Sequence, residues 1–185
     1  YGEDIALLAG DGLQPLAFAA LANLEVEPSK AIIAVKVLAD CCGVCGMVGG
    51  QVIDLESENK KIPLDTLVLL QKLKTGKLIE AAVVLGCIIG GATESEIELC
   101  KEYALNIGLA FQIRDDMLDV IGTQEEMGKG VGTDETKNTF VRLYGLEKCE
   151  ELVNHYTEVA IESLKPFSDT AYIIELSKSL TVRRV

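Results

Sequence analysis

With 185 residues, 49% of them hydrophobic, the chain can build one ordinary domain around a core and does not have the composition of a disordered segment. A formal net charge of −12 excludes general affinity for nucleic acid or an anionic membrane surface, since both need an excess of Lys and Arg. Aromatics make up 5%, Trp is absent, and Leu, Ala, Ile and Val dominate, which suits packed helices better than a sandwich of short strands.

The chain opens at Tyr1 and enters a helical pattern at once, as a segment of a longer domain would. Residues 4–23 are apolar on most sides and predict a buried helix with a kink near Pro15. Pro28-Ser29 starts a long, Ala-rich, glycine-dotted segment that predicts one core helix ending near Ser57. After the polar run ENKKIP, Pro63 starts a third helix that runs to Gly90-Gly91. Thr93-x-x-Glu96 is a capping box for a fourth, ending near Ile121. The next seventeen residues, GTQEEMGKGVGTDETKN, are too long for an idle connection, and loops of that kind carry function. Two further helices, 145–165 and 168–182, complete an all-α bundle of about six helices in a single domain spanning 1–185.

The uncharged apolar run between Glu80 and Glu94 falls short of the ~18–20 residues of a bilayer span, so no transmembrane segment and no signal peptide are expected. Six cysteines lie mostly in apolar or helical patterns and point to a reduced, cytoplasmic protein. The Cys42-Gly43-Val44-Cys45 spacing suits a redox or zinc pair, but there is no second CxxC and a single His, so these cysteines read as small core residues. His155 has polar neighbours and reads as a surface residue.

The stretch FQIRDDMLDVIG, residues 111–122, sets Gln112, Asp115, Asp116 and Asp119 on one narrow helical stripe with apolar residues on both borders. Such a stripe has the pattern of a polar cavity wall, although a solvated acidic face also accommodates an Asp-Asp pair. Three acids this close repel one another, and protonating them takes pKa shifts of several units. Divalent Mg²⁺, held by one or two carboxylates with waters and substrate phosphates, neutralises them more directly. Lys74 and Thr75 interrupt a strongly apolar helix, where a buried ammonium needs an anionic partner unless it snorkels to the surface. Lys129, among the glycines of Met127–Gly132, and Lys137 add cations in the long loop, without the spacing of a P-loop. Carboxylates for metal, lysines for phosphate oxygens and an apolar surround describe a site for a diphosphate with a hydrocarbon tail.

At this point the chain resembles the C-terminal two-thirds of the trans (E-type) isoprenyl diphosphate synthases, the farnesyl and geranylgeranyl diphosphate synthase family. FQIRDDMLD at 111–119 is similar to that family's second aspartate-rich motif, GGQVIDLE at 49–56 to its Gly-Gln-x-x-Asp segment, and LKTGKLIEAA at 73–82 to its Lys-Thr-Gly segment. Residues 127–147 resemble the loop and helix start after the second motif, and YGEDIALLAGDGL at 1–13 the helix after the substrate-binding loop. The resemblance implies a helical bundle of the isoprenoid synthase type, Mg²⁺ dependence and a homodimer. It implies condensation of isopentenyl diphosphate with an allylic diphosphate such as dimethylallyl or geranyl diphosphate. By the same carry-over, Asp115 is the main metal ligand, supported by Asp116 and Asp119. Lys74, Lys129 and Lys137 bind diphosphate, Thr75 and Gln112 steady the developing cation, and the terminal Arg183-Arg184 closes over isopentenyl diphosphate.

The family's first aspartate-rich motif belongs just upstream of the segment resembling YGED, so the N-terminal part is expected to be missing and residues 1–185 alone are expected to be inactive. A class I terpene cyclase shares the fold, but the lysines and GKGVGTD stand where that family has an Asn/Ser/Glu metal motif. A non-catalytic regulatory subunit of a heteromeric synthase is the other alternative, against which the intact DDxxD stretch and Lys74 count.

Overall fold

The computed structural model describes residues 1–121 and 138–182, and these form eight α-helices and one π-helical turn, with no strand among them. In chain order the helices are α1 (Glu3–Ala22), α2 (Pro28–Cys42), α3 (Met47–Ser57), α4 (Leu64–Gln71), α5 (Lys77–Gly90), α6 (Glu94–Ile121), α7 (Phe140–Ser163) and α8 (Ala171–Val182). The π turn, Lys72–Gly76, joins α4 to α5. Helix α6 is the hub: α5, the π turn, α7 and α8 all pack on it, while α2 packs on α5 and α3 on the π turn.

The expected fourth helix is present with its capping box. The Thr93 amide donates to Glu96 Oε2 at 2.7 Å and the Glu96 amide to Thr93 Oγ1 at 3.3 Å. Upstream, α5 stops in a Schellman turn in which Ala92 N–H reaches Cys87 O at 2.9 Å and Gly91 takes φ +80°, a left-handed value that glycine adopts without strain.

Elsewhere the sequence expectations are corrected. The predicted 28–57 helix is two, because residues 43–46 turn the chain between α2 and α3. That break takes Cys45 out of the core: Cys41 is buried, Cys42 half-buried and Cys45 exposed, and all six cysteines are free thiols. Helix α7 starts five residues before its expected position, its first turn set off by Gly145 at φ +77°, and α8 starts three residues late. Helix α1 was expected to be buried, yet none of its residues is. It packs chiefly on α2 and exposes Ile5, Leu7, Leu8, Leu13 and Leu16. Apolar periodicity shows that a face wants covering but cannot show what covers it.

By length and composition alone, Glu3–Ala22 and Pro28–Ser57 reach the hydropathy of a membrane span, a test that the core helices of a soluble protein also pass. An average over a window tolerates the isolated charges that end an uncharged run. The second stretch is no continuous span, since the 43–46 turn leaves helices of 15 and 11 residues.

The main core gathers Leu67 of α4, Leu109, Ile113 and Met117 of α6, and Phe140, Cys149 and Val153 of α7. A second cluster joins Tyr103, Ala104 and Ile107 of α6 to Ala160 and Leu164 at the end of α7. Arg114, buried on the back of α6, ties three helices: its Nε donates to Thr181 O at 2.5 Å and its Nη2 to Glu150 Oε1 at 2.7 Å. Replacing Arg114 with Ala strands a buried carbonyl and removes a charge-assisted bond. The expected cost is about 2–3 kcal/mol, read as a lower urea midpoint at unchanged m-value.

Candidate active site

Three elements bring the predicted lysine, threonine and glutamine together. Glycine-rich α3 approaches the π turn so closely that a Cβ on Gly50 would lie 2.3 Å from Lys74 N and 2.7 Å from Lys74 Cα. The π turn inserts one residue more than an α turn into the helix and so re-aims Lys74 and Thr75 relative to α4 and α5. One helical turn beyond Gly50, Asp54 accepts from Lys74 Nζ at 2.5 Å, with both side chains about one-third exposed. Lys74 therefore neither snorkels freely nor sits unpaired. Its partner Asp54 had been given no role in the sequence, although the signal was there in the Gly50-Gln51-x-x-Asp54 spacing.

Across from this pair, Thr75 Oγ1 donates to Gln112 Oε1 at 3.0 Å, which links the π turn to α6. The Gln112 amide nitrogen points the other way, to Asp116 Oδ1 at 3.5 Å. That spends the threonine proton on glutamine and leaves the Oγ1 lone pairs for an electron-poor group.

The carboxylate stripe is not uniform. Asp115 is half-buried and Asp119 exposed, one turn apart on the same edge of α6. Asp116 is 6% exposed and turned into the protein, where its Oδ2 accepts the Phe140 amide at 2.8 Å. Burial pushes its carboxyl up to about 6, against the lowering effect of the Phe140 and Gln112 bonds, and the Asp119 charge adds to the rise. The apolar borders also part company, with Ile113 and Met117 in the core and Val120 and Ile121 exposed. The stripe is thus half-buried at Gln112 and Asp115 and reaches solvent by Asp119.

Among the described residues no three Asp, Glu, His or Cys side chains converge as a complete metal site. Two carboxylates one turn apart fit an ion that takes most of its ligands from water and phosphate, as Mg²⁺ does. Lys129, Lys137, Arg183 and Arg184 lie outside the described residues. His155 is exposed, as expected.

The polyprenyl synthetase family model matches residues 1–175. The chain belongs to that family. It is 44% identical to geranylgeranyl pyrophosphate synthase 3, chloroplastic, of Arabidopsis thaliana, over 99% of this chain and 54% of that protein. It is 41% identical to the farnesyl diphosphate synthase of Escherichia coli (strain K12), over 91% of this chain and 58% of that one. Among solved structures, an FPP/GFPP synthase from Zymomonas mobilis superposes with a TM-score of 0.82 at 37% identity, over 95% of this chain and 60% of that one. A geranyltransferase from Helicobacter pylori, complexed with magnesium and isoprenyl diphosphate, gives 0.82 at 31% identity, over 97% and 60%. The all-α expectation and the resemblance to this family both hold. The chain spans about half the length of the curated relatives it matches.

Three substitutions have expected outcomes in this polyprenyl synthetase chain. Gly50→Ala forces the π turn off α3 and is expected to cost about 1–3 kcal/mol in urea unfolding. Gly10→Ala, whose Cβ meets nothing within 4 Å, gains a few tenths of a kcal/mol from helix propensity. For Asp116 the folded state holds its proton more tightly than the unfolded chain. The stability from that proton is therefore full below about pH 4 and lost as pH rises through about 6. In EDTA, Asp116→Asn is expected to flatten the fall in unfolding free energy between pH 4 and pH 7, by up to about 3 kcal/mol.

Proposed function

We propose that the whole protein is a Mg²⁺-dependent prenyltransferase that condenses isopentenyl diphosphate with an allylic diphosphate, dimethylallyl or geranyl diphosphate, adding five carbons in each of successive condensations until farnesyl or geranylgeranyl diphosphate is reached. The observation that carries this reading is the convergence of Lys74–Asp54 and Thr75–Gln112, from three separate elements, beside Asp115.

In the proposed reaction the allylic C–O bond breaks, diphosphate leaves with the electron pair, the isopentenyl double bond attacks the allylic carbon, and loss of a proton restores a double bond. Asp115 and Asp119 would hold Mg²⁺, which supplies positive charge where the departing diphosphate becomes more negative. Lys74 brings a second cation to the diphosphate oxygens, and its pairing with Asp54 keeps the ammonium aimed while no phosphate is present. Thr75 and Gln112 turn oxygen dipoles toward the carbon that becomes electron-poor. The apolar flank of α6 keeps water away from that carbon, which water would convert to an alcohol.

The proposal includes a homodimer. The i, i+3, i+8, i+11 row Ile5, Leu8, Leu13 and Leu16, exposed along one face of α1, supports packing against a second copy. A reduced cytoplasmic setting suits the free thiols, and neither apolar stretch near the N-terminus is proposed to cross a membrane. Lys129, Lys137 and Arg184 keep the diphosphate-binding roles that the family resemblance implies.

Steady-state kinetics of the full-length protein with radiolabelled isopentenyl diphosphate test the reading. Asp115→Ala is expected to lower kcat by roughly 10²–10⁴-fold, about 3–5 kcal/mol of barrier. Lys74→Ala should raise KM for the allylic diphosphate more than for isopentenyl diphosphate. Near-normal turnover by Asp115→Ala would sink the assignment.

A further inference from the structure

Of the three carboxylates in the DDxxD stretch, the middle one has a different environment from its neighbours. Asp116 is 6% exposed, while Asp115 is half-buried and Asp119 exposed. Each of its oxygens meets a protein N–H: Oδ2 the backbone amide of Phe140 at 2.8 Å, Oδ1 the side-chain amide of Gln112 at 3.5 Å. Phe140 is the first residue of α7, and its amide is one of the four N–H groups that a helix start leaves without an intrahelical partner. It is 2% exposed and set in the core with Ile113 and Met117, which alternate along α6 with the site residues Gln112 and Asp115. Water cannot satisfy that amide, so an acceptor has to come from the protein. A carboxylate at a helix N-terminus also meets the positive end of the helix dipole.

Next to Phe140, Thr139 Oγ1 accepts from the Arg142 amide, the third of the helix, at 3.2 Å. Asn138 donates to Ser57 O at 3.2 Å and Lys60 O at 2.8 Å and accepts from Ile62 N at 3.4 Å. Three consecutive residues are thus fastened in turn. One is fastened to the connection after α3, one caps α7, and one is fastened to the metal-motif helix itself.

We infer that Asp116 is not a metal ligand but a positioning residue: it pins the start of α7 to α6 and, through Gln112, holds the Thr75–Gln112 pair in register with Asp115. This rests on the proposed prenyltransferase reading and gives the reason its metal set is Asp115 and Asp119 without the Asp116 that the family resemblance includes. Three roles open to Asp116 have distinct signatures. A ligand sets metal affinity; a positioning residue sets substrate turnover at unchanged metal affinity; a purely structural residue sets stability alone.

The experiment uses the full-length protein and three variants, Asp116→Ala, Asp116→Asn and Asp115→Asn. Free Mn²⁺ is titrated by electron paramagnetic resonance in the presence of inorganic diphosphate, and kcat and KM are measured at a temperature where circular dichroism shows each variant folded. The expected result for Asp116→Ala is Mn²⁺ affinity within about twofold of wild type and kcat/KM for the allylic diphosphate lower by tenfold or more. Asp116→Asn, which keeps an oxygen for the Phe140 amide, recovers most of that loss, and Asp115→Asn weakens Mn²⁺ binding by tenfold or more. Weakening of Mn²⁺ by Asp116→Asn to the extent seen for Asp115→Asn overturns the inference in favour of a ligand. A lower melting temperature with unchanged kcat/KM overturns it in favour of a structural role. Should Asp116→Ala not fold, the Mn²⁺ affinity of Asp116→Asn decides alone. A wild-type protein with no Mg²⁺-dependent condensation defeats the prenyltransferase reading itself, whereas the Mn²⁺ and stability results still report on Asp116.

Discussion

Successive residues of an α-helix point 100° apart, and on α6 that rotation has to serve two environments within one turn. Ile113 and Met117 belong to the core with Phe140 and Val153, while Gln112 and Asp115 belong to the site. Moving α6 by one residue would put Ile113 where Thr75 now finds the Gln112 amide oxygen and Arg114 in the place of Ile113 in the core. The packing that fixes α6 against α5, α7 and α8 therefore also fixes the site. Arg114 strengthens the arrangement from behind by bonding to Thr181 and Glu150, on two different helices. In this way the rigidity of the bundle becomes rigidity of the chemical groups, which carry little local structure of their own.

The site also solves a charge problem set by composition. At a formal −12, these 185 residues as a whole repel the diphosphate of the proposed reaction, so affinity for it has to come from cations in chosen places. A lysine among apolar helices is costly unless paired, and Asp54 pairs Lys74 at a third exposure, where the ion pair is worth at most about 1 kcal/mol. Weak pairing is useful: it holds the ammonium in place and yields readily to a more highly charged anion. Gly50 is the backbone counterpart, since only a residue without a Cβ lets α3 come close enough for Asp54, one turn on, to reach Lys74.

How much of this the sequence disclosed follows the range of each interaction. Local signals held: the Thr93/Glu96 capping box starts α6, and the stop at Gly90-Gly91 ends α5. The pairing of Lys74 with some anion was legible from its apolar surround, as was the common face of Gln112 and Asp115. The identity of the anion was not, because Asp54 lies twenty residues away and its approach depends on a π turn that periodicity reads as plain helix. For the same reason Asp116 was grouped with Asp115 and Asp119. Only the position of Phe140, more than twenty residues along the chain, separates them. The burial of α1 failed as an expectation because apolarity is a property of the residue, while burial needs a partner surface.

The division among the three aspartates gives the buried one a use of its own. An acidic pair one turn apart is enough to hold a hydrated divalent ion, but its aim depends on how firmly α6 and its neighbours are joined at that level. Joining them with an apolar contact would leave the first amide of α7 without an acceptor in a dry core, at a cost of about 1–3 kcal/mol. A carboxylate meets that amide and at the same time accepts from Gln112, whose oxygen faces Thr75. A single buried charge thus connects the start of one helix to the dipoles of the site, which gives it a reason to stand beside Asp115 that does not involve the metal.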